Sequence, residues 1–253
     1  MRLQNRDGLD VFAVSHLGFV ETAGPDLSLS MRSTMDTAWD AAVLANPALF
    51  DGPVVLCTEM DSGASGHLVI SWARATYRYR VLRQFRDTPA LSSVFVCVLQ
   101  PTLDGRLVIG RMSNSTSFPG QLQFPGGNMQ PPPKGQPLTV DALRHHAAVE
   151  LSEEIGVQTT SEELDLWLVA RMPNGNIGFF FTAPSLPDDF LLRRRALLVD
   201  TERKYGRNPE FADIALIRDG DDLACIEGHP AEYLGPLVSH FFAAESPLTE
   251  PDK

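Results

Sequence analysis

Three glutamates, Glu150, Glu153 and Glu154, fall within one short stretch of a helical pattern. At helical spacing Glu154 lies about 40° and Glu153 about −60° from Glu150, so the three carboxylates share an arc of about 100°. Ala148, Leu151 and Ile155 lie between about 100° and 160°, which makes the apolar stripe distinct from the acidic one. Like charges this close repel, and a divalent cation would relieve that repulsion. Hard cations such as magnesium take oxygen ligands and bind alongside phosphates. From the helix alone, a solvated acidic face is an equal alternative. His146 shares the carboxylate face, but magnesium prefers oxygen, so a partly exposed helix residue is expected there. His145 points elsewhere and is expected in solvent.

Arginine suits phosphate because its planar fork matches the oxygens. The segment Arg74-Ala75-Thr76-Tyr77-Arg78-Tyr79-Arg80 reads as the continuation of a strand from His67. Residues two apart share a strand face, which groups Arg74, Thr76, Arg78 and Arg80 on one side and Tyr77 and Tyr79 on the other. Arg74, Tyr77 and Arg78 are therefore candidate substrate contacts, with an ordinary exposed basic strand as the competing reading. Arg111 ends a strand before a glycine-rich loop and is a further candidate.

The net charge of −11 over 253 residues disfavours a nucleic-acid partner, and no dense basic cluster offsets it. Apolar residues at 43% and charged residues at 21% are ordinary for a globular protein. No run is long enough for a membrane helix. The opening residues 1–7 lead only into Val11 to Val14, which does not read as a signal peptide, so a cytoplasmic location is expected. Cys57, Cys97 and Cys225 are far apart, and the first two sit in apolar runs, as reduced core thiols would.

Two units are expected. Residues 1–91 read as a small α+β domain: a strand over Val11 to Val20, a helix from Ser33 or Thr34 to Ala45, a strand from Pro53 to Thr58, a loop at 62–66, and the strand from His67. Residues 92–253 hold strands at Val94 to Leu99 and Leu107 to Arg111, then the loop Phe124-Pro125-Gly126-Gly127 and the proline-rich stretch Pro131-Pro132-Pro133. A helix from Asp141 to Ile155 follows, stopped by Gly156. Strands at 166–171, 177–182 and 211–217 and helices at 187–205 and 231–243 complete an α+β chain with mixed sheets.

The segment Glu150-Leu151-Ser152-Glu153-Glu154-Ile155-Gly156-Val157 resembles the second half of the Nudix hydrolase motif. Gly135 stands where the motif begins with glycine, Asp141 where it has glutamate, and Val149 where it has arginine. Phe124-Pro125-Gly126-Gly127 is similar to the family's Pro-Gly-Gly loop. The resemblance implies a Nudix-type α/β/α sandwich with a mixed sheet, preceded by the small N-terminal domain. It implies magnesium, with manganese as the alternative, held by Glu150, Glu153, Glu154 and the Gly127 carbonyl. The same three glutamates would serve catalysis, with Glu210 or Asp213 as general base. The order Trp39, Asn46-Pro47-Ala48-Leu49-Phe50-Asp51-Gly52, Thr76-Tyr77-Arg78 looks like the region preceding the Nudix part in mammalian UDP-glucose and UDP-galactose pyrophosphatases. The implied partner is a small-molecule nucleotide, a UDP-sugar cleaved to UMP and a sugar 1-phosphate, with ADP-ribose, another dinucleotide, a nucleoside triphosphate, or a catalytically weakened ligand-binding module as the alternatives; a homodimer is a further expectation.

Overall fold

The computed structural model describes residues 2–4, 8–63, 66–85 and 92–245. The expected boundary at 91, part of the expected loop at 62–66, and most of the segment read for a leader lie outside them. The first strands are β1 (Arg2–Gln4), β2 (Asp10–Phe12) and β3 (His16–Glu21), where one strand over 11–20 was expected. Helix α1 (Leu29–Ala45) starts earlier than expected because Ser28, not Ser33 or Thr34, caps it: its hydroxyl accepts from the Met31 N–H at 3.2 Å. Strands β4 (Pro53–Ser62) and β5 (His67–Thr76) follow, and then the chain turns into a 3-10 helix over Tyr77–Gln84.

The second half supplies β6 (Ser92–Leu99), β7 (Leu107–Met112), β8 (Gln121–Gln123) and β9 (Gly126–Asn128), then α2 (Val140–Ile155). Helix α2 matches the expected element. Thr139 caps its start by accepting from Ala142 N–H, and Gly156 ends it at φ 76°. Next come β10 (Asp165–Arg171), β11 (Ile177–Thr182), α3 (Asp188–Lys204), β12 (Phe211–Ile217), the short α4 (Gly220–Ala224), β13 (His229–Pro230) and α5 (Leu234–Glu245).

The strands build two mixed sheets. The larger runs β1-β2-β10-β11-β6-β4-β5-β3, with β9 also paired to β6; the smaller runs β12-β7-β8-β13. Strands β11 and β6 are parallel, whereas β6 and β9 are antiparallel. Leu56 pairs with Ser93 and Cys57 with Ser92, so strands from both halves of the sequence share one sheet. From Val94 to Leu99 strand β6 is apolar at every position because both faces are covered. Val94, Val96 and Val98 join the core with Leu143, Ala147 and Leu151 of α2. Cys97 and Leu99 join the opposite core, with Leu234, Leu237 and Phe241 of α5. The result is an α/β/α sandwich. Cys57 and Cys97 are buried free thiols and Cys225 is an exposed one. Among the described residues, no helix is long and apolar enough to cross a membrane.

Candidate active site

Helix α2 lies against the glycine strand β9 and the central strand β6, which sets the carboxylates beside backbone rather than beside bulky side chains. Glycine is required for that approach. A Cβ on Gly127 would stand 2.4 Å from Glu150 Oε1, and one on Gly126 would stand 2.1 Å from the Val96 carbonyl oxygen. Gly126 also has φ 154°, which side chains rarely adopt. Gly126→Ala is therefore expected to lower the melting temperature by several degrees or leave the protein insoluble, because backbone must move. An unchanged thermal melt would contradict this register.

The three helix carboxylates occupy different environments. Glu154 is 1% exposed; its Oε2 accepts from the Gly126 N–H at 2.6 Å and its Oε1 has no hydrogen-bond partner. Burial, together with the charges of Glu210 and Glu150, pushes its pKa well above the usual carboxylate range, against the Gly126 N–H and Arg195. Glu153 is exposed, and burial of part of its surroundings and the Glu150 charge raise its pKa. Glu150 is partly buried, with Oε1 3.1 Å from His146 Nε2. The same nitrogen lies 2.9 Å from the Asn128 carbonyl; both neighbours are acceptors, so Nε2 carries the hydrogen. Burial alone would lower the His146 pKa, but Glu150 and the Asn128 carbonyl more than offset it and hold it above the ordinary value. His146, partly exposed as expected, thus tethers β9 to Glu150.

Glu210 stands just before β12, on the rim of a cavity of about 410 Å³. It is exposed to solvent, yet the dense surroundings and the charges of Glu150 and Glu153 push its pKa up to about 7. Asp213, the other expected general base, is instead held by Arg111, whose Nη2 donates to its Oδ2 at 2.6 Å. Gly126, Gly127, Asn128, Gln121 and Gln123 line the same cavity.

The arginines are sorted differently from the strand reading. Strand β5 stops at Thr76, and in the 3-10 helix that follows residues three apart share a face. Tyr77, Arg80 and Arg83 therefore all line the cavity. The Arg80 guanidinium lies 4.2 Å from the centre of the Phe118 ring and donates to the Tyr77 hydroxyl. Arg83 donates to Asn176 Oδ1, another lining residue. Arg78 points away from the cavity: its backbone N–H donates to Asp51 Oδ1 at 2.8 Å and its side chain bonds Asp51 and Asp36. Arg74 is bound to Glu21 at 2.7 Å and to the carbonyls of Pro132 and Pro133, so it braces the proline stretch. Of the four expected substrate contacts, only Tyr77 lines the cavity; Arg74, Arg78 and Arg111 do not. The Arg74-Thr76-Arg78-Arg80 face is corrected to a Tyr77-Arg80-Arg83 face. Arg83, Phe118 and Asn176 carried no signal in the sequence. Gly135, at φ 83° with nothing near its Cβ position, only serves a turn beside Pro133.

The donor set suits a hard cation. Glu154 Oε1 is a buried oxygen without a partner, the neighbouring carboxylates help raise the pKa values of Glu153, Glu154 and Glu210, and a glycine backbone sits where a Cβ would fill the space. Among the described residues, no three His, Cys, Asp or Glu side chains converge closely enough to enclose an ion by themselves. Magnesium characteristically keeps several waters and uses one or two carboxylates, so a full protein cage is not needed. Val149 is partly exposed on the edge of the acidic arc, a place from which a long side chain can run out to solvent. Val149→Arg is expected to leave the fold and any activity intact. A melting drop of several degrees would show that the helix face is buried there.

No family model matches the chain. No curated protein matches it either. Among solved structures it is similar to a Deinococcus radiodurans protein at 18% identity and TM-score 0.40, over 74% of this chain and 97% of that one. It is also similar to a NUDIX hydrolase from Nitrosomonas europaea at 14% identity and TM-score 0.31, over 52% of this chain and 62% of that one. At these values the likenesses decide nothing about the chemistry, which rests on the residues themselves.

Proposed function

We propose that this protein is a Nudix-type pyrophosphatase, dependent on magnesium or manganese, that hydrolyses a nucleoside diphosphate linked to another group. A UDP-sugar, cleaved to UMP and a sugar 1-phosphate, is the favoured substrate. The observation that carries the reading is the gathering of Glu150, Glu153, Glu154 and Glu210 around a glycine strand that lines one cavity. The motif resemblance of residues 150–157 agrees with it.

Glu150, Glu153 and Glu154, with the Gly127 carbonyl, would hold the cation, which when bound polarises phosphoryl oxygens and supports in-line attack by water. Glu210 is suited to accept the proton from that water, because a carboxylate with a pKa of about 7 is both ionised and basic near neutrality. His146 keeps Glu150 aligned on β9. The Tyr77-Arg80-Arg83 face offers stacking surface and charge to the nucleotide, and the amides of Gln121, Gln123, Asn128 and Asn176 offer hydrogen bonds. The partner on this reading is a small nucleotide, neither nucleic acid nor membrane.

The test is a panel of UDP-glucose, UDP-galactose, ADP-ribose, a dinucleotide and a nucleoside triphosphate, each with magnesium in oxygen-18 water and read by mass spectrometry. Label in the UMP or in the sugar phosphate identifies the phosphorus attacked. Strongest turnover is expected with a UDP-sugar; a preference for ADP-ribose or a triphosphate would keep the class and change the substrate. No anhydride cleavage at all, or cleavage undiminished by EDTA, would overturn the reading.

A further inference from the structure

The cavity beside the carboxylates has two unlike ends. Ser93, Phe95 and Cys97 alternate along β6 and line it, since residues two apart share a strand face. Cys97 is paired with Gly126 and Phe95 with Asn128, so the Cys97 end is the glycine-strand end. Glu210 lines the cavity there, close enough to feel the charges of Glu150 and Glu153. Ser93 lies four residues back along β6, about 13 Å at strand spacing. At that far end the turn between β10 and β11 supplies Asn176. Its Oδ1 accepts from the Ser93 N–H at 3.0 Å and from the Arg83 guanidinium.

The far end is cationic. Arg80 and Arg83 stand one turn apart on the 3-10 helix and both line the cavity. Arg80 donates to the Tyr77 hydroxyl, and its guanidinium lies over the rings of Phe118 and Tyr77. None of these partners is anionic. Stacking covers the flat face of the guanidinium and leaves N–H groups on its edge for a further acceptor. The acids among the described lining residues are Glu210, at the glycine-strand end, and Glu232, which is exposed. Burial, and after it the charge of Arg80, hold the Arg83 pKa below its ordinary value, with Tyr77 and Glu232 opposing. An anion would relieve two guanidinium groups so placed, and the planar fork of arginine matches carboxylate and phosphate oxygens. The walls of a cavity focus such a charge.

We infer that the Arg80–Arg83 end of the cavity is a subsite for a second anionic group of the substrate, separate from the anhydride at the carboxylates. That anion is the carboxylate of a nucleotide uronate such as UDP-glucuronate, or a phosphomonoester on the ribose. The preference for a UDP-sugar favours the first. The inference rests on the pyrophosphatase reading above, which places the anhydride at the glycine-strand end. A neutral sugar would meet the same guanidinium groups through hydroxyls alone, so the extra charge selects between nucleotides that are otherwise equal.

The test is calorimetric binding to the full chain in EDTA, beside turnover with magnesium, for two pairs of ligands that differ by one anion. The pairs are UDP-glucose with UDP-glucuronate, and ADP-ribose with 2′-phospho-ADP-ribose. The wild type is expected to bind UDP-glucuronate about tenfold or more tightly than UDP-glucose, the effect of one charge-assisted hydrogen-bond pair. Its kcat/KM for UDP-glucuronate should be higher as well. Arg80→Gln and Arg83→Gln are each expected to lose most of that preference, with affinity for UDP-glucuronate falling more than affinity for UDP-glucose. Added salt should narrow the preference. The comparison within the wild type needs no variant, so it decides the matter even if a glutamine variant does not fold. A preference confined to the second pair keeps the anion subsite and places the anion on the ribose. No preference for the anionic member of either pair, or a preference that survives both substitutions, overturns the inference alone. An arginine-dependent preference in EDTA without any cleavage in magnesium overturns the pyrophosphatase reading and leaves the anion subsite. Neither binding nor cleavage of any of these ligands overturns both.

Discussion

Glu154→Gln is expected to lower turnover by at least about a hundredfold, with Glu153→Gln close behind, as the loss of a carboxylate facing a cation should. Glu154→Gln is nearly isosteric, and its amide oxygen can still accept from the Gly126 N–H, so the loop keeps its anchor. What disappears is the negative charge at an oxygen that has no other partner. Cleavage within a few-fold of the wild type would remove Glu154 from the mechanism. The same carboxylates give stability a direction with pH. Glu153, Glu154 and Glu210 all titrate above their ordinary value of 4.5, Glu210 at about 7, so the folded state binds more protons than the unfolded one between those limits. Metal-free protein is therefore expected to melt higher at pH 5 than at pH 7, with stability lost as the pH rises through that window. The raised pKa of His146 acts in the same sense. Magnesium should narrow the gap by stabilising the protein more at pH 7. A melting temperature that climbs from pH 5 to pH 7 without metal would contradict the crowding of these groups.

Arg80→Ala is expected to raise the Michaelis constant for a nucleotide-sugar roughly tenfold to a hundredfold, the effect of losing about 1.5–3 kcal/mol from one charged hydrogen-bond pair. The change for a small pyrophosphate substrate should be much less. Arg80 lines the cavity with its guanidinium over Phe118 and against the Tyr77 hydroxyl, so on the proposed reading it would meet the part of the nucleotide beyond the phosphates. Arg78→Ala makes the control. Arg78 is committed to Asp51 and Asp36, which tie the 3-10 helix to the segment before β4 and to α1. Its loss should cost stability and leave the Michaelis constant unchanged. The opposite pattern, with Arg78 setting the Michaelis constant and Arg80 silent, would return the segment to the strand face expected from sequence. Equal losses for Arg80→Ala on both substrates would place it at the phosphates alone.

The sequence by itself was enough for the elements whose signals are local. Helix α2 is bounded by Thr139 and Gly156, and its ends are set by a side-chain cap and a left-handed glycine, both of which depend only on near neighbours. Strand β6 is apolar at consecutive positions because it is covered on both faces, and that pattern is legible without knowing what covers it. The clustering of Glu150, Glu153 and Glu154 on one arc likewise follows from helical geometry alone.

The tertiary structure decided the rest. Whether Tyr77 to Arg80 continues β5 with a period of two or turns with a period of three is not written in the alternation of Arg and Tyr, which fits either. The choice falls to long-range partners: Asp51 captures Arg78, and Leu82, Tyr79 and Val81 pack with Met35 and Leu56 in a core of their own. That choice takes Arg78 away from the cavity and sets Tyr77 and Arg83 beside Arg80 in its lining. Glu154 and Glu153 are adjacent in sequence, yet one is buried under Gly126 and the other is exposed, because only the approach of β9 and α3 distinguishes them. Arg195 lies more than forty positions from Glu154 on a different helix, and nothing short of the packing of α3 on α2 brings its charge to the carboxylates.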